Sequence, residues 1–223
     1  MSRIMIAGTD TDIGKTHVSA GLLARARLDG HACLGLKPVA AGADYDQGKA
    51  FSDDAARLAR GAGFSGALEQ INPHLFEPPI APHIAAAQKG VRLSAQAIAT
   101  WANATAEGYT HVLLEGAGGW RVPLNESESF SDIGVKLGWP VVLVVGMRLG
   151  CISHALLTAE AIRADGLPLV GWIANRIDPD QLVYQDNLQT LKERLSAPFL
   201  GEVPHGNLDF ESIAAQLSWP ANR

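Results

Sequence analysis

Gly8-Thr9-Asp10-Thr11-Asp12-Ile13-Gly14-Lys15-Thr16 decides how this sequence is read. Before it stands Arg3-Ile4-Met5-Ile6-Ala7, a short apolar run with strand character. After it, from Thr16 to Asp29, Val18, Leu22 and Ala26 recur every fourth residue, the spacing of one helix face. Strand, glycine-bounded loop and helix in that order make a phosphate-binding loop, in which successive backbone N–H groups turn inward and the helix N-terminus adds partial positive charge. A nucleoside triphosphate is the leading ligand, with Lys15 reaching the terminal phosphates and the Thr16 hydroxyl available to Mg²⁺. The spacing departs from the common pattern: five residues, not four, separate Gly8 from Gly14, and Thr9 stands in the place of the first glycine.

Working outward, the bounds fit a soluble cytoplasmic enzyme. With 223 residues and 47% hydrophobic composition the chain can bury a sizeable core, so one domain over 1–223 is expected. Eighteen basic residues stand against 23 acidic ones, for a net charge of −5 without a basic stripe, which argues against nucleic acid as a partner. The longest apolar runs, such as Val141 to Val145, are far too short to span a membrane, and the run after Arg3 is too short for a signal peptide. Cys33 and Cys151 are isolated and read as reduced thiols.

Short apolar segments alternate with helical ones along the chain, which predicts an α/β fold with a parallel sheet covered by helices on both faces. Strands are expected at Ala32–Leu36, His111–Glu115, Pro140–Gly146, Leu169–Asn175 and Phe199–Val203, the middle three inside the sheet and the last closing it. Helices are expected at Asp53–Arg60, after a Ser94 cap with Ile98, Trp101, Ala102 and Thr105 on one face, at Ile152–Asp165, and around Tyr184, Leu188, Leu191 and Leu195. Residues 71–83, with four prolines, read as an ordered but irregular excursion.

Ligands of open α/β sheets bind outside the carboxyl ends of the strands, so polar residues there are the first to weigh. The phosphate loop ends one strand, Lys37 follows another, Glu115-Gly116-Ala117-Gly118-Gly119 ends a third and Asn175 a fourth. An acidic residue closing an apolar strand is the usual partner of a phosphate loop, because Mg²⁺ takes hard oxygen ligands and keeps several waters. That makes Glu115 a metal candidate. Lys37, restrained by Pro38, is a candidate for neutralising phosphate charge.

The loop with this spacer, together with Lys37-Pro38-Val39, Ser52-Asp53-Asp54-Ala55, Asn72-Pro73, Ala81-Pro82-His83-Ile84-Ala85, Glu115 to Trp120, Val144-Val145-Gly146, Leu149 to Ala155, Gly171 to Asn175 and Gly201-Glu202-Val203-Pro204, closely resembles the dethiobiotin synthetases over about residues 3 to 205. The resemblance implies a P-loop NTPase-like enzyme that carboxylates 7,8-diaminononanoate with CO₂ or bicarbonate and closes the ureido ring, using ATP and Mg²⁺, as a homodimer with active sites at the interface. Position by position, it implies Lys15, Lys37 and Thr11 at the reacting groups and Thr16, Asp54 and Glu115 around the metal. It further implies a nucleotide site of Asp12, Ile13, Gly14, Lys15, Thr16, His17, Asp54, Glu115, Gly116, Ala117, Gly118, Asn175, Arg176, Pro204, His205, Gly206 and Glu211. The substrate would meet Lys37, Ala41 and, from the other subunit, Gly150, Cys151, Ile152 and Ser153. Three positions depart from the family: Ala41 replaces a common serine, Arg176 a frequent aspartate, and Asn187 aligns with a substrate-binding tyrosine for which Tyr184 is the nearest substitute.

A different class fits the loop as well: ATP-driven switches of the chromosome-partitioning or division-site type, which share this sheet. They carry a second lysine five positions before the loop lysine, where this chain has Asp10. Acidic residues in a phosphate loop, here Asp10 and Asp12, are expected to point away from the phosphates. His83 reads as a cleft residue or a structural hydrogen-bond partner, and Trp120 as a substrate contact or packing.

Overall fold

The computed structural model describes residues 1–206 and 208–221. In chain order, β1 (Ser2–Gly8) leads to α1 (Lys15–Leu28), β2 (Cys33–Leu36), β3 (Val39–Ala41), β4 (Asp44–Asp46), β5 (Lys49–Phe51), α2 (Asp53–Ala62), a 3₁₀ turn at Leu68–Gln70, and β6 (His74–Phe76). Then come α3 (Pro82–Gln88), α4 (Ala95–Thr105), β7 (His111–Glu115), α5 (Phe130–Leu137), β8 (Val141–Gly146), α6 (Cys151–Ala164), β9 (Leu169–Asn175), α7 (Tyr184–Arg194), β10 (Phe199–Val203) and α8 (Phe210–Ala214).

Six parallel strands form the central sheet in the order β10-β9-β8-β1-β7-β2. The expected interior strands β7, β8 and β9 are interior, and Phe199–Val203 is an edge. Alternation along β1 feeds both faces. Ile4 and Ile6 join α1, α2 and α8 through Val18, Leu22, Leu58 and Ile213, while Met5 and Ala7 join the opposite layer with Ile98, Ile133, Ala155 and Leu188 of α4, α5, α6 and α7. Among the described residues no helix is long and apolar enough to cross a membrane.

The excursion over 71–83 is more regular than its prolines suggest. β6 pairs in parallel with β3, and Pro82 opens α3 at a first-turn position, where its missing N–H costs nothing. β4 and β5 form a separate antiparallel hairpin that composition does not announce. Helix α5 carries a capping box, with the Ser129 N–H donating to Asp132 Oδ2 at 2.6 Å, a signal present in the sequence as Ser129-x-x-Asp132.

Candidate active site

The loop between β1 and α1 is held from beneath. Gly14 caps α1 in the left-handed region at φ 76°, and a Cβ there would lie 2.2 Å from Asn175 Nδ2. Only glycine admits both the backbone angle and that approach. The close neighbour is functional to the loop: Asn175 Nδ2, at the end of β9, donates to the Ile13 carbonyl at 2.7 Å. Asp10 knots the other side. Its Oδ1 accepts the Thr11 N–H at 2.8 Å, its carbonyl accepts Lys15 Nζ at 2.8 Å, and its Oδ2 accepts Arg148 Nη2 at 2.5 Å.

Behind the loop lies a buried charge cluster. Lys37 Nζ stands 2.6 Å from Asp54 Oδ2 and 2.7 Å from Glu115 Oε1. The backbone of Lys37 is fixed by an N–H bond to the Ile71 carbonyl at 2.8 Å and by Asn72 Nδ2 on its own carbonyl at 2.7 Å. Burial works against the charge on Lys37, but Glu115 and Asp54 outweigh it and hold its pKa above the ordinary lysine value. Asp54 is likewise half-desolvated, yet Lys37 and the Thr16 hydroxyl keep its carboxyl below the usual range. Lys15 is different: burial dominates, nearby Lys37 adds to it, and Glu115 and Asp54 only partly compensate, so its pKa falls to about 8.

Three oxygens here ask for a cation. Thr16 Oγ1 lies 2.7 Å from Asp54 Oδ1 and 2.7 Å from Glu115 Oε1, and a hydroxyl has one proton for two acceptors. Glu115 Oε2 is buried and has no hydrogen-bond partner. Among the described residues there is no cluster of three His, Cys, Asp or Glu side chains suited to a closed metal site. Two carboxylates and a hydroxyl instead fit Mg²⁺, a hard cation that fills its remaining positions with phosphate oxygens and water.

Asp54 reaches the loop because α2 crosses α1 in a tight register. Gly61 makes this possible: a Cβ on it would sit 2.4 Å from the Ala20 carbonyl oxygen. A turn earlier on each helix stand Arg57 and His17, and at the helix starts Asp54 meets Thr16. The resulting cavity of about 770 Å³ is lined by Thr11, Asp12, Gly14, Lys15, Thr16, His17, Lys37, Ala41, Asp54, Glu115, Ala117 and Gly118 of the expected residues. It adds Asp53, Arg57 and the segment Pro79–Pro82, to which the sequence reading assigned no role in the site.

The other expected residues fall elsewhere. Ile13 is buried beneath the loop, and Gly116 follows β7 with its N–H on the Ile6 carbonyl at 3.2 Å. Asn175, Arg176, Pro204, His205 and Gly206 gather at the adjacent ends of β9 and β10, where the Arg176 N–H donates to the Val203 carbonyl at 2.9 Å and His205 Nδ1 lies 3.3 Å from the Arg176 carbonyl. Glu211 is set apart from both groups. It opens α8, pairs with Arg27 at 3.0 Å, and so stands near the end of α1 opposite the loop, about 18 Å along the helix from Lys15. The reason is packing: Ile213 seats α8 against Gly21, midway along α1. Gly150, Cys151, Ile152 and Ser153 begin α6, outside the cavity.

Against this geometry, the family model described as an AAA domain matches residues 2–208. The ATP-dependent dethiobiotin synthetase BioD of Aromatoleum aromaticum is 50% identical over 216 residues, covering 96% of each chain. That of Cellvibrio japonicus is 53% identical over 199 residues, covering 89% of this chain and 87% of its own. The chain belongs to the dethiobiotin synthetase family. Likeness to solved structures reaches further in fold only: a ParA family ATPase from Chlorobium tepidum has a TM-score of 0.56 at 13% identity, covering 92% of this chain and 84% of that one. MinD in its complex with MinC from Aquifex aeolicus has a TM-score of 0.55 at 16%, covering 96% and 86%. These neighbours share the parallel P-loop sheet, and the synthetase relatives share the sequence as well.

Several side chains in this synthetase take roles that the sequence left open. Trp120 is buried and donates its Nε1–H to Asp165 Oδ2 at 2.7 Å, pinning the glycine-rich turn to the end of α6, so it packs and does not meet a ligand in the cavity. His83 lines a separate surface groove of about 650 Å³ with Val91, Arg92 and Asn125. Tyr184 is buried under Arg176, whose guanidinium lies 4.8 Å from its ring, so in this chain it does not present itself to a substrate. Asp10 points away from the phosphate site toward Arg148, as acidic loop residues are expected to, while Asp12 stays at the cavity wall.

Proposed function

We propose that this chain makes dethiobiotin from 7,8-diaminononanoate, CO₂ and ATP by way of a carbamate and a carbamic–phosphoric anhydride. The observation that carries this reading is the cluster of buried Lys37 and Glu115 with partly exposed Asp54 and Thr16, facing Lys15 in a single cavity. One amine of the substrate takes up CO₂ and releases a proton, leaving a carbamate. A carbamate oxygen then attacks the γ-phosphorus, and the bond to the ADP oxygen breaks. The second amine attacks the carbamoyl carbon, phosphate leaves, and a further proton passes to solvent.

Every species on that route is anionic, and no protein nucleophile is needed. Catalysis of this kind is positioning and charge neutralisation by donors that are in place beforehand. Lys15 would lie along the phosphates, and Lys37, kept charged by two carboxylates, would face the carbamate oxygen and the phosphoryl in transit. Thr11, exposed at the cavity wall, would hold carbamate or phosphate oxygens. Thr16, Asp54 and Glu115 would hold Mg²⁺, which when bound supplies further charge neutralisation of the phosphate oxygens. Asn175, Arg176, Pro204, His205 and Gly206 would border the base. A cytoplasmic setting suits the free thiols of Cys33 and Cys151.

The diamine carries its nearer amine on C7, six carbons along the chain from the carboxylate carbon, so its two ends need separated sites. We place the carboxylate at the start of α6 in a second copy, on the N–H groups of Ile152 and Ser153, where the helix dipole favours an anion; the Cys151 N–H is taken by the Arg148 carbonyl at 3.0 Å. Support comes from the apolar surface beside it, where Leu149, Leu157, Leu182 and Val183 are all exposed. Gln181 Nε2 lies 3.9 Å from Cys151 Sγ, which sets the 181–183 turn against the start of α6. A switch-type ATPase would need lysine where Asp10 lies bound to Arg148. Mixing the protein with diamine, bicarbonate, Mg²⁺ and ATP should give a product of dethiobiotin mass and stoichiometric phosphate. ATP turnover that ignores the diamine but responds to DNA or lipid would overturn the proposal.

A further inference from the structure

We infer that Arg57 grips the non-transferred phosphates of the bound nucleotide, with Asp53 holding its guanidinium in place. This rests on the proposed nucleotide-dependent reaction and adds a residue to it. Arg57 stands on α2 one turn beyond Asp54, and both line the cavity. The α1–α2 register fixed at Gly61 and Ala20 sets Asp54 beside Thr16 and Arg57 beside His17. Thr16 and Lys37 mark the end where the phosphoryl group moves. His17, one residue further into α1, marks the side away from it, where a nucleotide held by this loop keeps the phosphates that stay with the nucleoside.

Two observations call for a ligand there. Asp53 Oδ2 accepts only Arg57 Nε, at 2.8 Å, and the two terminal amino groups of Arg57 make no hydrogen bond to protein among the described residues. His17 Nε2 is buried without a partner at the same wall. Charge points the same way. Lys37 is committed to Glu115 and Asp54, so Lys15 and Arg57 are the cavity cations left to meet a polyphosphate. A planar guanidinium anchored at Nε presents two parallel N–H donors, which suits two phosphate oxygens better than a point charge does.

The test is direct nucleotide binding, with the KM for the diamine measured alongside. ADP and a non-hydrolysable ATP analogue are titrated into wild type, Arg57→Ala, Arg57→Lys and Asp53→Asn at several salt concentrations, with melting temperatures recorded. Arg57→Ala should bind both nucleotides about tenfold more weakly and with a shallower salt dependence, at an unchanged melting temperature. Lysine should restore part of the affinity, Asp53→Asn should cost less than alanine at 57, and KM for the diamine should hold. Folded Arg57→Ala with wild-type ADP affinity would overturn the assignment, as would a loss confined to the diamine. Wild-type protein that binds neither nucleotide would instead overturn the proposed reaction itself.

Discussion

At the phosphate-loop end, Lys15, Lys37, Glu115 and Asn175 are buried and closely neighboured by residues of the same chain, and Lys15, Lys37 and Asn175 are fixed by hydrogen bonds. At the start of α6, Leu149 and Leu182 are 92% and 84% exposed, and a side chain on Gly150 would meet nothing within 4 Å. On the proposed reaction, the difference follows from what each end would bind. Charge developing on a phosphoryl group is stabilised most by donors already in place in a water-poor site, which one chain can assemble in its core. Under the same proposal, a carboxylate at the far end of a long substrate would need only helix N–H groups and a covering wall, which a second copy would supply.

The comparison is broken most severely at its buried end. Lys37→Met should lower kcat by about 10²- to 10³-fold, the scale for losing one preorganised donor. It should also cost about 3–5 kcal/mol of stability without Mg²⁺, because Glu115 loses the cation that compensates its burial. Steady-state phosphate release and urea unfolding with and without Mg²⁺ check both. A variant that unfolds like wild type in both conditions would show that Lys37 does not compensate Glu115.

The open end is tested by complementation. Lys15→Ala destroys the phosphate site and Ile152→Pro removes one N–H at the start of α6, so each pure protein should be inactive. If the sites are shared between copies, an equal mixture should recover about a quarter of wild-type activity, since half the dimers would each carry one intact site. Mixed dimers detected by mass without activity would remove the second copy from the site.

The two ends should also differ in pH response. Lys15, with its pKa at about 8 in the free protein, needs its proton to meet phosphate. Nucleotide affinity should therefore fall by up to about tenfold per pH unit above pH 8, with proton uptake on binding seen by calorimetry in two buffers. For the free protein the sign is reversed. Between about 8 and 10.5 the unfolded chain binds more protons at this lysine, so stability rises with pH across that window. Lys15→Arg, which keeps the charge and does not titrate in this range, should abolish the uptake; persistent uptake would assign it to another group.

The smallest effect is expected where the two ends touch. Arg148 lies just before the exposed start of α6 and reaches back to Asp10, with the two side chains 45% and 44% exposed. Arg148→Ala should cost less than about 1 kcal/mol of stability and change nucleotide affinity only a few-fold, as exposed ion pairs do. A loss comparable to that of Lys37→Met would mean that the loop depends on this pair as much as on the Lys37–Glu115 pair.

Local sequence was enough for the phosphate loop, the alternation of strands and helices, and the set of Lys15, Thr16, Lys37 and Glu115, with Asp54 added by the family resemblance. These are local signals: hydrophobic period, a glycine-bounded loop, and polar residues at the carboxyl ends of apolar strands, which the parallel sheet is bound to bring to one edge. The rest came from long-range packing. Pairing β3 with β6, committing the Asn175 amide to Ile13, burying Trp120 against Asp165 and sending Glu211 to the far end of α1 all depend on contacts between residues well separated along the chain. Arg57 shows the reason most plainly. Nothing in its neighbourhood of sequence marks it; it reaches the cavity because Gly61 lets two helices close to backbone contact, and such a distance is a property of packing, which no local period encodes.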